Sequence, residues 1–167
     1  MQVSFIDIVT SEKRFGIMDS ELHSEKPAYL DFDLGNNKIW IAEIVNNEKN
    51  KLWFTPIDYR LELKKENRQM QKRCDALLYF IEERKKTIIF IELKERHNSG
   101  WKKVADEQLR ETIATFEETK EAKLFKIKKA HIANNLRPKS NKDDMPRMKK
   151  FMKETGYVLS IGKIVKI

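Results

Sequence analysis

Apolar and polar positions along this chain change period several times, and each change marks an element. Thr87-Ile88-Ile89-Phe90-Ile91 is almost wholly β-branched or aromatic with no polar face, the pattern of a strand covered on both sides. It then turns abruptly charged in Glu92-Leu93-Lys94. Cys74-Asp75-Ala76-Leu77-Leu78-Tyr79-Phe80-Ile81 is a second apolar run, and Glu82-Glu83-Arg84-Lys85-Lys86 is the polar turn between them. Further upstream the pattern predicts a meander of hairpins. It runs from Ala28–Leu34 through a turn at Gly35-Asn36-Asn37 into Lys38–Val45, where Ile39, Ile41 and Glu43 alternate against Trp40, Ala42 and Ile44. A turn over 46–50 leads into Leu52–Thr55, which Pro56 should end or confine to an edge. Gln2–Val9 reads as an opening strand or edge segment, and Thr10–Lys26 as a loop or short helix.

Helical spacing takes over after the polar loop Glu95–Gly100. Trp101, Val104, Ala105, Leu109, Thr112, Ile113 and Phe116 recur at three- and four-residue intervals, so one stripe should pack on the sheet, with Asn98 or Ser99 as cap. Gln108 lies on that stripe, as a buried amide with a specific partner or at the boundary with solvent. Leu124–Ala133 is the next strand, reached through a parallel crossover beside the Glu92 strand. Asp143 or Asp144 should cap a second helix with Pro146 in its first turn, Met148, Phe151 and Met152 on its inner face and Gly156 after its end. Tyr157–Ile161 and Lys163–Ile167 close the chain as strands, and Asp58–Gln71 reads as a further helix. The sum is an α/β (α+β) fold, a central mixed sheet flanked by helices with an N-terminal antiparallel hairpin elaboration. One domain of 167 residues is expected, with 1–57 as the elaboration and 58–167 as the core.

Charge changes the picture more than composition does. A formal net charge of +8 favours a polyanionic partner, nucleic acid above all, although 36% charged residues also describes an ordinary solvated surface. A single cysteine, Cys74, excludes an internal disulfide, and three scattered histidines, His23, His97 and His131, make no metal cluster. No signal pattern opens the chain and no apolar run approaches a bilayer span, so a cytoplasmic location away from membranes is expected.

The chemistry gathers at the end of the Thr87–Lys94 run. Alternate strand residues share a face, so Glu92 and Lys94 point one way and Leu93 the other. A hairpin folded about Glu83 and Arg84 sets Asp75 directly across from Glu92. Opposed like charges repel, and buried charges must be paired, so a cation belongs between them. Hard oxygen ligands suit Mg²⁺ or Mn²⁺, and Lys94 stands beside the pair. Asp31, Asp33 and Glu43 are other acids that could ligate, but alternation turns them to solvent. Lone His97 reads as surface.

Arg73-Cys74-Asp75, then Phe90-Ile91-Glu92-Leu93-Lys94, then Gln108-Leu109 on a following helix resembles the PD-(D/E)XK nuclease superfamily of restriction-endonuclease-like folds, in its small Cys-Asp variant. Cys74 stands where the name-giving proline would be, and the likeness spans roughly Met70 to Phe116. It implies a metal-dependent nuclease hydrolysing phosphodiesters, with DNA ahead of RNA. Asp75, Glu92 and the Leu93 carbonyl would hold Mg²⁺ or Mn²⁺, and Lys94 would act on the attacking water. Gln108 would reach back to the site, and Glu62 or Glu66 would either complete the metal shell or be solvated residues of a Lys-rich segment. The turn-rich basic loop Asn134–Lys142 reads either as a grip on the nucleic-acid backbone beside such a site or as a mobile surface loop, and a homodimer or a larger assembly would supply a second site. Two alternatives stand beside it: a nuclease-like module that only binds nucleic acid or protein, and an unrelated α/β domain with a surface Glu92–Lys94 ion pair.

Overall fold

The computed structural model describes residues 8–19, 26–57, 72–95, 99–136 and 142–167. The fold is α+β, with two mixed sheets and two helices in three layers. Strands β1 (Ile8–Thr10), β5 (Leu52–Pro56), β6 (Ala76–Glu82), β7 (Lys85–Lys94), β8 (Ile127–Asn134) and β9 (Val158–Ile161) form the larger sheet in the order β1-β5-β6-β7-β8-β9. It is antiparallel from β1 to β7 and parallel from β7 to β9. The smaller sheet runs β10-β4-β2-β3, from β2 (Arg14–Met18), β3 (Tyr29–Asp31), β4 (Ala42–Val45) and β10 (Ile164–Lys166).

The central strands obey the two-residue period on both faces. On β7, Ile88 and Phe90 join the apolar cluster beneath the helices, whereas Ile89, Ile91 and Leu93 join the cluster shared with the smaller sheet. β6 divides in the same way, with Leu77 toward the helices and Ala76, Leu78 and Phe80 toward the smaller sheet. Helix α1 (Trp101–Glu117) makes the crossover from β7 to its parallel neighbour β8, as its stripe predicts. Both α1 and α2 (Met145–Thr155) pack on one face of the larger sheet. Among the described residues, the other face is covered by the second sheet and not by helices as expected.

Several boundaries differ from the sequence reading. The segment expected as loop or helix, Thr10–Lys26, contains β2, whose Phe15 and Ile17 are fully buried. Its Gly16 admits the Trp40 ring: a Cβ there would sit 2.2 Å from a ring carbon. No meander forms, because β2 lies between β3 and β4 and β10 adds in parallel at β4. The sheets therefore do not divide the chain at residue 57: β1 and β5 belong to the larger sheet and β10 to the smaller. Gly162, at φ 147, sits where the chain leaves β9 of one sheet for β10 of the other.

The acids set aside as solvent-facing have structural partners. Asp31 is half-buried and accepts the Trp40 indole N–H at 3.0 Å and the Asn36 amide at 3.1 Å. The backbone N–H of Asp33 is the chief influence holding its carboxyl below the usual range. Glu43 pairs with Arg14 at 2.5 Å, and Asp33 accepts the Gly35 N–H at 2.9 Å.

Helix ends also differ. The N-cap of α1 is Gly100, at φ 90 with no side-chain cap, and not Ser99; Asn98 lies outside the described residues. Asp144 occupies the N-cap position of α2 with helical backbone angles (φ −80, ψ −21) and gives no cap hydrogen bond; its carboxylate accepts from the Lys102 ammonium of α1. Met152 is 46% exposed, so the inner face of α2 rests on Phe151 and Met148. Val104 is likewise exposed, at the mouth of a cleft described below. No helix among the described residues is long and apolar enough to cross a membrane.

Candidate active site

The β6–β7 hairpin turns on two residues, Glu83 and Arg84, at φ 46 and 64, with Glu82 paired to Lys85. Two consecutive positive φ values mark the tight turn whose twist matches that of the flanking strands. The turn is shorter than the five polar residues suggested, but its centre is where the sequence reading put it. The ladder then runs without a bulge to Ala76 opposite Ile91, and one further step brings Asp75 opposite Glu92. Parity turns both side chains toward the helix layer, on the face of Leu77 and Phe90.

Both acids are recessed, Asp75 at 6% and Glu92 at 1% exposure. Asp75 Oδ2 accepts the backbone N–H of Leu93 at 2.6 Å, while the carbonyl of Asp75 accepts the Ile57 N–H at 2.8 Å. Glu92 is paired through Oε1 with Lys94 Nζ at 2.7 Å. Lys94 also donates to Gln108 Oε1 at 2.7 Å, and Gln108 Nε2 donates to the carbonyl of Arg73 at 3.2 Å. Gln108 therefore sits at the half-buried edge of the α1 stripe with a specific partner for each end of its amide.

The electrostatics follow from this crowding. Burial pushes the Cys74 thiol well up, and the negative charges of Glu92 and then Asp75 push it further, so the thiol stays protonated beside the acids. Lys94, Leu93 and Gln108 line a cleft of ≈ 510 Å³ together with Lys72, Glu95 and Val104. Lys72 stands at its rim, paired with Glu107 at 2.6 Å. An ammonium has three N–H donors, and among the described residues two of those on Lys94 are used by Glu92 and Gln108, with the third open to a molecule in the cleft.

Asp75, Glu92, Lys94 and Gln108 thus come together, with the Leu93 backbone between the two acids. In a strand the N–H and C=O of one residue leave on the same side, so the Leu93 carbonyl shares the side from which its N–H meets Asp75. Two carboxylates and a carbonyl are a hard-oxygen donor set that fits Mg²⁺ or Mn²⁺, which keep several waters and need few protein ligands. Among the described residues no group of three or more His, Cys, Asp or Glu side chains converges to hold a metal. Glu62 and Glu66, His97 and the basic part of the loop over 137–141 lie outside the described residues.

His131, one of the three scattered histidines, has a structural place. It is buried on β8, with Nε2 at 2.8 Å from the carbonyl of Gly162, and burial lowers its pKa to about 4. Thr112, counted as one more packing residue on the α1 stripe, bonds the chain beside Asp75. Its only sequence signal was a hydroxyl in apolar company. No family model, curated protein or solved structure matches this chain.

Proposed function

We propose that this chain is a divalent-metal-dependent nuclease of the PD-(D/E)XK, restriction-endonuclease-like kind, acting on nucleic acid with DNA ahead of RNA. The observation that carries the reading is the hairpin register. It sets Asp75 across from Glu92 at the end of β7 while Lys94 and Gln108 close the same corner. The net charge of +8 supports a polyanionic substrate, and a single buried thiol suits the reducing cytoplasm. Action on both strands of a duplex would call for a homodimer or a larger assembly.

Asp75, Glu92 and the Leu93 carbonyl would hold Mg²⁺ or Mn²⁺. Such an ion, when bound, lowers the pKa of a water and offsets charge at the phosphorus and the leaving oxygen. The reaction is addition of a water oxygen to phosphorus and departure of the ester oxygen, which takes up a proton. Lys94 directs its remaining N–H at the phosphate or the attacking water and stabilises the added negative charge. Gln108 holds Lys94 at that angle, so the ammonium need not be oriented anew at each turnover. Lys72 at the cleft rim meets the flanking backbone.

The test incubates the protein with plasmid, linear DNA and RNA in Mg²⁺, Mn²⁺ or EDTA, beside Lys94→Ala and Glu92→Gln. Cleavage that needs the ion and is lost in both variants is expected. Cleavage that survives both substitutions, or none by the wild type on any substrate, overturns the reading.

A further inference from the structure

The peptide unit between Arg73 and Cys74 is held at both ends by one helix. Its carbonyl accepts from Gln108 Nε2 at 3.2 Å, and its amide donates to Thr112 Oγ1 at 2.8 Å. The C=O and N–H of a trans peptide point in opposite directions, and Gln108 and Thr112 lie one helical turn apart on the same face of α1. The peptide is bracketed between them and cannot rotate without breaking both bonds.

Thr112 is itself fully oriented. Its hydroxyl donates to the carbonyl of Gln108 at 2.9 Å, the usual backward bond of a helical threonine, which turns a lone pair outward to receive Cys74. Thr112 is 4% exposed and Cys74 is fully buried, so water does not replace this contact. The next residue is Asp75, just outside the β6 ladder and therefore not aligned by pairing of its own with β7. Its carbonyl takes the Ile57 N–H, and the direction of its side chain depends as well on the orientation of the peptide before it and on the Leu93 N–H that its carboxylate reaches.

We propose that Thr112 is a positioning residue: by bracketing the Arg73–Cys74 peptide with Gln108, it holds the Asp75 carboxylate on the Leu93 amide and in line with Glu92. Helix α1 then aligns both halves of the site, since Gln108 grips Lys94 with its oxygen and the Asp75 side with its nitrogen. This rests on the nuclease reading for its purpose, but not for its geometry.

The experiment compares the metal-free full chain with Thr112→Val, which keeps the shape and removes the hydroxyl, and Thr112→Ser, which keeps the hydroxyl. Thr112→Ala replaces the valine variant should that fail to fold. The readout is the ¹⁵N–¹H signal of the Leu93 amide. In Thr112→Val it is expected to shift and to exchange at least about tenfold faster, as befits a lost carboxylate acceptor, while Thr112→Ser matches the wild type. In cleavage assays Thr112→Val should lose roughly tenfold to a hundredfold in kcat with KM for nucleic acid unchanged, and Thr112→Ser should restore it. A Leu93 amide indifferent to the valine or alanine change, or serine behaving as valine does, overturns the proposal. A wild-type protein that cuts nothing overturns the nuclease reading instead, and the Leu93 comparison still decides the role of Thr112.

Discussion

Lys94 reaches back along its own strand to Glu92, two residues earlier, at 2.7 Å, and the carboxylate it meets is only 1% exposed. Such a pair costs much to desolvate, and removing one partner leaves the other charge stranded. Lys94→Met is therefore expected to lower stability by about 3 kcal/mol in urea denaturation at pH 7. Adding Glu92→Leu should recover most of that loss while leaving cleavage and Mn²⁺ binding absent. A double variant no more stable than Lys94→Met would count against a buried, coupled pair.

The Gly16–Trp40 contact admits no side chain. Since a Cβ at Gly16 would stand 2.2 Å from the ring, Gly16→Ala must displace the fully buried Trp40 and strain its indole bond to Asp31. A loss of about 1–3 kcal/mol is expected, with a red shift of tryptophan emission. An alanine variant with wild-type stability and spectrum would contradict this packing.

His131 contributes a pH dependence of defined sign. Its folded pKa of about 4 lies below the ordinary 6.5, so between those values the unfolded chain binds the extra proton. Stability from this group is complete above about pH 6.5, falls as pH drops through that window and is gone below about 4, up to about 3 kcal/mol in all. Denaturation curves across pH 4–7 should show that slope in the wild type and a flatter one in His131→Gln. Equal slopes would mean that the imidazole is not desolvated.

Glu83 and Arg84 hold left-handed conformations that cost other residues more than Asn or Gly. Glu83→Asn with Arg84→Gly is expected to stabilise the protein by about 1 kcal/mol and to leave cleavage unchanged, because the turn keeps its length. Inserting one glycine between the two positions should instead slip the register, turn Glu92 to the opposite face and abolish Mn²⁺ uptake. Urea denaturation and cleavage assays check the first variant, and calorimetric Mn²⁺ titration checks the insertion.

Much of the site could be read from the chain alone. The run Thr87–Lys94 has apolar residues on both faces and then a charged end, and Glu92 lies as far after Arg84 as Asp75 lies before Glu83, so the facing of the acids follows from counting. The α1 stripe likewise put Gln108 on the sheet side. The strand Arg14–Met18 was hidden because charged neighbours and a glycine interrupt its alternation, and that glycine makes sense only once Trp40 lies over it. Thr112 was hidden for a similar reason, since its partner is the Cys74 amide, 38 residues away.

Local periodicity determined which side of each strand and helix turns from water, because burial of alternate or every third and fourth residue is written in consecutive positions. With the position of one tight turn it also determined which acid faces which. Tertiary structure alone decided which element covers each face: that β10 crosses to the smaller sheet, that β2 separates β3 from β4, and that a threonine on α1 bonds the Cys74 amide beside Asp75. Those pairings join distant segments, and an apolar residue asks only for apolar surroundings, whichever part of the chain supplies them.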